Sequence, residues 1–251
     1  MFVVNIIIKR QKMLEILQYD FIQNALIAGV LISIAAGIIG SLVVVNKITF
    51  LTGGIAHSSY GGIGLAIYMG IPVLFGATVF AVLTAVIIAI ITLNNRNRID
   101  AIIGMMWASG MAIGIIFVDL TPGYNVDLMS YLFGSIIAVS REDLIYMSVL
   151  DVFIISIVVF FYKQILAVSY DSEFASLRGI NVKFFYTLIL ILAALCVVAA
   201  IKAVGLILVI ALLTIPTYLA ENFSSKLSTM MIISSILATI FTILGLIVSY
   251  S

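Results

Sequence analysis

The chain is poor in the residues on which most site chemistry depends. Its 251 residues include one histidine, His57, and one cysteine, Cys196, and only 9% are charged. A metalloprotease helix needs two histidines with a glutamate, and catalytic zinc generally takes three protein ligands, so that signature is ruled out. A serine protease within the membrane would also want a histidine partner, and Ser109 of Trp107-Ala-Ser-Gly110 lies in a plain run of small residues. No glycine-rich phosphate loop carrying a lysine is present, so this chain cannot itself hydrolyse ATP. The single cysteine excludes an internal disulfide. A formal charge of +1 gives no footing for nucleic acid. No catalytic residue is expected.

What the chain has in abundance is apolar surface. Hydrophobic residues make up 64% of it and the mean hydropathy is +1.34, which leaves far too little polar surface for a soluble globule. The apolar runs are continuous, without strand-like alternation, and lipid offers backbone groups no partner outside a helix or a closed barrel. Windows of roughly 17–25 residues place spans near 21–45, 52–70, 72–93, 100–118, 144–163, 184–200, 203–220 and 228–250. The expectation is an all-α fold, a polytopic transmembrane helical bundle of about eight spans.

The second window holds the lone histidine, in Phe50-Leu-Thr-Gly-Gly-Ile-Ala-His57-Ser-Ser-Tyr-Gly-Gly-Ile-Gly64. An imidazole at membrane depth is disfavoured unless it meets a partner or a polar cavity, and glycine and serine neighbours let other helices approach closely. His57 is therefore expected to line a path or a tight seam. As a neutral imidazole it could serve as a transient ligand for a transition metal; the competing reading is a structural hydrogen bond. The fourth window carries small residues about every third or fourth position, so both helices are expected inside the bundle. Asp151 lies in an apolar run about two turns from its start, and a place at the interface is favoured for it over a cavity.

Two links are long enough for structure of their own, Asp119 to Asp143 and Lys163 to Lys183, and they fall on opposite sides of the membrane. Asp119, Asp127, Glu142 and Asp143 make the first acidic, which could attract a cation or a basic partner surface, though the wet end of a helix is the favoured reading. The second predicts a short amphipathic helix over 171–180, with Asp171 or Ser172 as N-cap, Phe174 and Leu177 three apart, and Gly179 as its stop. Glu173 and Arg178 are spaced for a surface ion pair, or for docking a soluble partner. Placing this link in the cytoplasm puts Lys47, Arg96, Arg98, Lys163, Arg178, Lys183 and Lys226 inside, against Arg141, Lys202, Lys9, Arg10 and Lys12 outside. Residues 1–12 read as a variable extension ahead of a single membrane domain over 13–251, because Met13 opens a conventional run and the preceding apolar stretch is too short and too polar-flanked for a cleavable signal.

Four stretches, in this order and spacing, carry a resemblance. They are Asn46-Lys-Ile-Thr-Phe-Leu-Thr-Gly-Gly-Ile-Ala-His57, Asp127-Leu-Met-Ser-Tyr-Leu-Phe-Gly-Ser135, Asp171-Ser-Glu-Phe-Ala-Ser-Leu-Arg-Gly179 and Val204-Gly-Leu-Ile-Leu-Val-Ile-Ala-Leu-Leu-Thr-Ile-Pro216. The chain resembles the membrane permeases of bacterial ABC importers for zinc, manganese and iron, whose fold is similar to that of the cobalamin importer. The resemblance implies a multi-pass protein of the inner membrane, paired with a second permease copy as a homodimer or with a close relative as a heterodimer, two ATPase subunits that bind the ATP, and an extracytoplasmic metal-binding protein. It implies no resident cofactor, only a transported divalent metal. His57 matches the family's path histidine; Tyr60, Gly61 and Gly64, one or two turns away on related faces, are weaker candidates for the path lining. The 171–180 helix matches the cytoplasmic coupling helix, with Asp171, Glu173, Ala175, Leu177 and Gly179 at the ATPase contact. The family's aspartate, one turn before the histidine, is replaced here by Gly53, which removes a charged donor. The family also usually continues beyond Tyr250 into another apolar segment, so a short member and a truncated gene both stay open. A siderophore or cobalamin permease should be longer, and an ion-coupled secondary transporter would need midplane carboxylates.

Overall fold

A computed structural model describes residues 19–94, 99–122 and 134–249. The expected extension at 1–12, Asp127 and most of its stretch, and Arg96 and Arg98 lie outside them. Nine helices are formed among the described residues: α1 (Asp20–Val45), α2 (Thr49–Met69), α3 (Val73–Asn94), α4 (Ile99–Asp119), α5 (Arg141–Phe160), α6 (Tyr162–Tyr170), α7 (Ser172–Leu177), α8 (Val182–Glu221) and α9 (Leu227–Ser249), with a 3₁₀ turn at Ile136–Ala138 before α5. Short polar caps set the starts of three of them. Ser140 and Asp143 form a reciprocal capping box on α5, Asp171 accepts from the Phe174 N–H of α7, and Asn181 accepts from the Phe184 N–H of α8. Each satisfies a backbone donor that the first helical turn leaves free.

Six of the helices are long and apolar enough to cross a membrane, α1, α3, α4, α5, α8 and α9, which makes the chain a multi-pass helical bundle. The expected count of eight is not reached, for two physical reasons. Helix α2 has the length, but its glycine, serine, threonine and histidine content lowers its hydropathy. It tolerates that composition because lipid hardly touches it: from Leu51 to Gly64 every residue except His57 is buried, against α3, α4 and α8. The windows 184–200 and 203–220, expected to be separate, fall within one stretch of 40 helical residues.

That stretch is not straight. Gly205 sits at φ 76°, ψ 168°, a conformation essentially reserved for glycine. A straight helix of this length would separate its ends by about 60 Å, yet Val182 and Glu221 line the same cavity of about 670 Å³. Helix α8 therefore turns back on itself at Gly205, in two arms. Gly134, also at positive φ, is pressed against the bend: a methyl on it would come 2.2 Å from the Gly205 nitrogen. The Ser135 N–H donates to the Lys202 carbonyl at 3.1 Å, and the Lys202 ammonium pairs with Asp143.

The bundle thus has two distinct ends. Asp20 lies 3.8 Å from Arg141, and the Asn24 amide donates to the Val139 carbonyl, at the same end as the Gly205 bend. At the other end the Asn46 amide donates to the Ser169 hydroxyl at 2.9 Å, and Lys47, Tyr170, Ser172 and Lys226 rim the cavity. The helix ends that flank the two long links fall on opposite sides of the bundle, as expected. Between them the outer faces are apolar, with Val159, Phe160 and Val248 at least 70% exposed, as a lipid-facing surface requires.

Substituting Gly205 by Ala should cost about 1–3 kcal/mol, because no residue with a Cβ holds that backbone without strain. Thermal unfolding of the purified protein in detergent should show a clearly lowered midpoint. An unchanged midpoint would mean that the bend is not set by Gly205.

Candidate functional site

Helices α2 and α4 run in the same direction and touch backbone to backbone. A methyl on Gly61 would lie 2.9 Å from the Gly110 carbonyl oxygen, one on Gly64 would lie 2.2 Å from that of Gly114, and one on Gly110 would lie 2.5 Å from the Ser58 Cα. Small side chains at one-turn spacing on both helices make this approach possible, and the contact energy is van der Waals packing that lipid cannot supply. The Ser58 and Ser59 hydroxyls are spent on carbonyls of their own helix, at Ile55 and Ala56. The expected path residues Tyr60, Gly61 and Gly64 are all buried in this seam, with Tyr60 3% exposed. They stand in the contact between the two helices.

His57 alone reaches out of the seam. Its ring lies flat on the indole of Trp107 from α4, with centroids 3.9 Å apart and planes 7° from parallel. The indole N–H donates to the Met111 thioether at 3.2 Å, one turn along the same helix, and Phe50 leans against the indole at 6.3 Å. The imidazole Nδ1 is buried and has no hydrogen-bond partner. The structural hydrogen bond considered for His57 is thus absent at that nitrogen. One turn earlier, at Gly53, a methyl would come 2.9 Å from the Ile210 Cδ1, so the second arm of α8 covers the position where a carboxylate would have sat. Among the described residues no three His, Cys, Asp or Glu side chains come together as a metal cluster. Among the described residues of this chain, His57 stands as a single donor.

The α6–α7 corner is the second place where residues were expected to act. The helix spans Ser172–Leu177 with Asp171 as cap, and Gly179 closes it at φ 77°, with the Ile180 N–H donating to the Ala175 carbonyl at 3.0 Å. Asp171, Glu173, Leu177 and Gly179 are exposed, and Leu177 is 88% exposed. Ala175 is 0% exposed, turned into the bundle, and is not available to another chain. Phe174 also faces outward, with the Arg178 guanidinium 5.0 Å above its ring. Arg178 therefore stands on an aromatic face and makes no ion pair with Glu173, the two ion pairs among the described residues being Asp20 with Arg141 and Asp143 with Lys202.

Sequence reasoning missed three features. Trp107 and Met111 carried a signal, since a sole tryptophan one turn from a methionine stands in the middle of a span. Asp143 was expected at the wet end of a helix but is tucked behind Lys202 and Ser140. Asp151, expected at the interface, is 3% exposed, and neither of its carboxyl oxygens has a hydrogen-bond partner. It lies on the buried stripe Met147, Asp151, Ile154, Val158, whose spacing fixes the inward face of α5.

Known proteins resemble this chain in sequence and in fold. The model of the ABC 3 transport family matches residues 18–251. An uncharacterized membrane protein of Synechocystis is 44% identical over 241 residues, covering 96% of this chain and 86% of the relative. The manganese transport system membrane protein MntC of Listeria monocytogenes is 33% identical over 235 residues, covering 94% and 84%. The solved structure of PsaBC from Streptococcus pneumoniae, in complex with a Fab, superposes with a TM-score of 0.86 at 31% identity, covering 96% of this chain and 87% of that one.

If the seam is set by backbone contact, Gly64→Ala should cost about 1–3 kcal/mol of stability through overpacking, while Gly245→Ala, with open space around it, should be nearly neutral. Melting midpoints of the two variants test this. Equal midpoints would remove the seam as the element that fixes α2 against α4.

Proposed function

Because the chain belongs to the ABC 3 transport family, we propose that it is the permease subunit of an ATP-binding-cassette importer for a divalent transition metal, manganese or zinc before iron. The family match over nearly the whole chain carries this reading, and the 33% identity to a manganese transport system membrane protein favours that class of cargo. In this scheme a binding protein delivers the metal at the end of the bundle that holds the Gly205 bend. The ion passes His57 and leaves at the end that holds α7, where ATPase subunits dock. Two copies of the chain would enclose the route, and the exposed flank of α4, with Gly104, Ala108 and Ser109 outward, suits the second copy.

The reversal at Gly205 and the sheltered position of α2 favour eight crossings, α2 shielded from lipid by its neighbours and α8 counted twice. Helix α7 has the form of a coupling element: short, capped, and offering Leu177 and Glu173 to a soluble surface. Ala175 is left out of that contact by its burial. His57 acts as a passing contact, since a single neutral nitrogen donor holds a divalent ion weakly and a weak hold suits onward movement. Movement of the ATPases would bias the bundle between states open to either side.

Reconstitution with the ATPase and binding protein, followed by uptake of radioactive manganese and zinc, tests the reading. Wild type should move at least one metal and His57→Ala should fall severalfold. If neither metal moves, the cargo assignment fails; normal uptake by His57→Ala removes the contact role. Separately, Leu177→Glu with Glu173→Arg should abolish co-purification of the ATPase while leaving the permease folded, and intact co-purification would place the coupling surface elsewhere.

A further inference from the structure

We propose that Trp107 is the positioning residue of the His57 metal contact, holding the imidazole by stacking in place of the hydrogen bond that ordinarily orients a metal-binding histidine. The proposal rests on the reading of His57 as a cargo contact and goes beyond it. A histidine that binds a metal through one ring nitrogen almost always donates its other N–H to a carboxylate, a carbonyl or water, and that bond fixes both tautomer and ring plane. Here Nδ1 is buried and meets no carboxylate or carbonyl among the described residues, and the ring plane is fixed by the indole 3.9 Å away and 7° from parallel.

The indole is itself held. Its N–H is directed to the Met111 sulfur, and Phe50 closes in on it from α2. Helix α4 thereby supplies a flat, braced platform, and because α4 is locked to α2 by glycine contacts the platform cannot drift from the ring. The arrangement also has a chemical consequence. Nitrogen donation through Nε2 puts the proton on Nδ1, where it meets no acceptor, so an unpaired buried N–H opposes tight binding. Stacking supplies orientation without the added basicity that a hydrogen-bonded carboxylate would give. The contact is aligned but weak, which is what a transported ion needs. The Met111 thioether is engaged with the indole and does not compete as a second donor.

The sole tryptophan and the sole histidine of the chain are this pair, so the emission of the full-length permease in lipid nanodiscs reports on the contact directly. Manganese ion alone should quench Trp107 emission in the wild type and leave it unchanged in His57→Ala. In the reconstituted transporter Trp107→Leu should raise the KM for manganese uptake roughly tenfold, the lower range for losing an orienting partner, with kcat little changed. Trp107→Phe, which keeps an aromatic face, should recover most of that loss, and Met111→Leu should show a partial loss. A Trp107→Leu transporter with wild-type KM overturns the proposal. So does a variant whose defect is confined to melting midpoint and is not rescued by Phe, for Trp107 is then packing alone. Failure of the underlying reading looks different: no quenching in the wild type together with normal uptake by His57→Ala.

Discussion

The approach of α2 to α4 is the constraint on which the rest of this molecule depends. Backbones meet at Gly61, Gly64, Gly110 and Gly114 with no room for a methyl group between them. Lipid is as apolar as any side chain, so burial of apolar surface does not drive helices together within a bilayer, and close packing must do so. Glycine at one-turn intervals provides the fit. Once that seam exists, α2 is shielded by α3, α4 and α8, and a helix too polar to face lipid can run through the interior. Its serines are satisfied by their own carbonyls, and the one residue with unfinished chemistry, His57, is left at the margin. Seam and site are therefore one device: the packing that makes α2 tolerable in the membrane also aligns the indole under the imidazole.

A second constraint acts at the end of the bundle where α8 turns. Gly205 and Gly134 press backbone on backbone, the Ser135 N–H meets the Lys202 carbonyl, and the Lys202 ammonium meets Asp143, which also caps α5. One carboxylate thus serves the start of a helix and a charge pair with the α8 turn. Pairing a lysine that is partly shielded from water with such a carboxylate keeps both charges satisfied at a depth where an isolated one would be costly.

Much of the bundle was legible because spanning helices announce themselves by unbroken apolar runs, and every long helix observed overlaps a predicted window, α8 alone covering two. The lone imidazole among glycines was legible for the same reason, as an exception within such a run. The cap and stop of α7 could be read from Asp171 and Gly179, since both roles follow from local backbone chemistry. Azimuth was harder. The resemblance placed Ala175 beside Leu177 at the ATPase contact, yet Ala175 is turned inward, because a small residue permits the closer approach. Asp151 was misplaced because its depth was read along the chain without the face set by Met147, Ile154 and Val158. The reversal inside α8 was hidden from secondary-structure reasoning, as a glycine in a helical run is ordinarily tolerated without a bend.

The bend at Gly205 turns α8 into a pair of tongs with its pivot at one membrane face. The pivot is clamped by the loop before α5, whereas the tips, at Val182 and Glu221, border a cavity of about 670 Å³. The arm Leu206–Glu221 is about 24 Å long at helical rise, so a rotation of about 10° at the glycine moves its tip by about 4 Å. A small angular change at that face would thus become a displacement of side-chain size at the other, beside α7. Leverage of this kind needs no element to unfold, and its direction is fixed by which end is fastened.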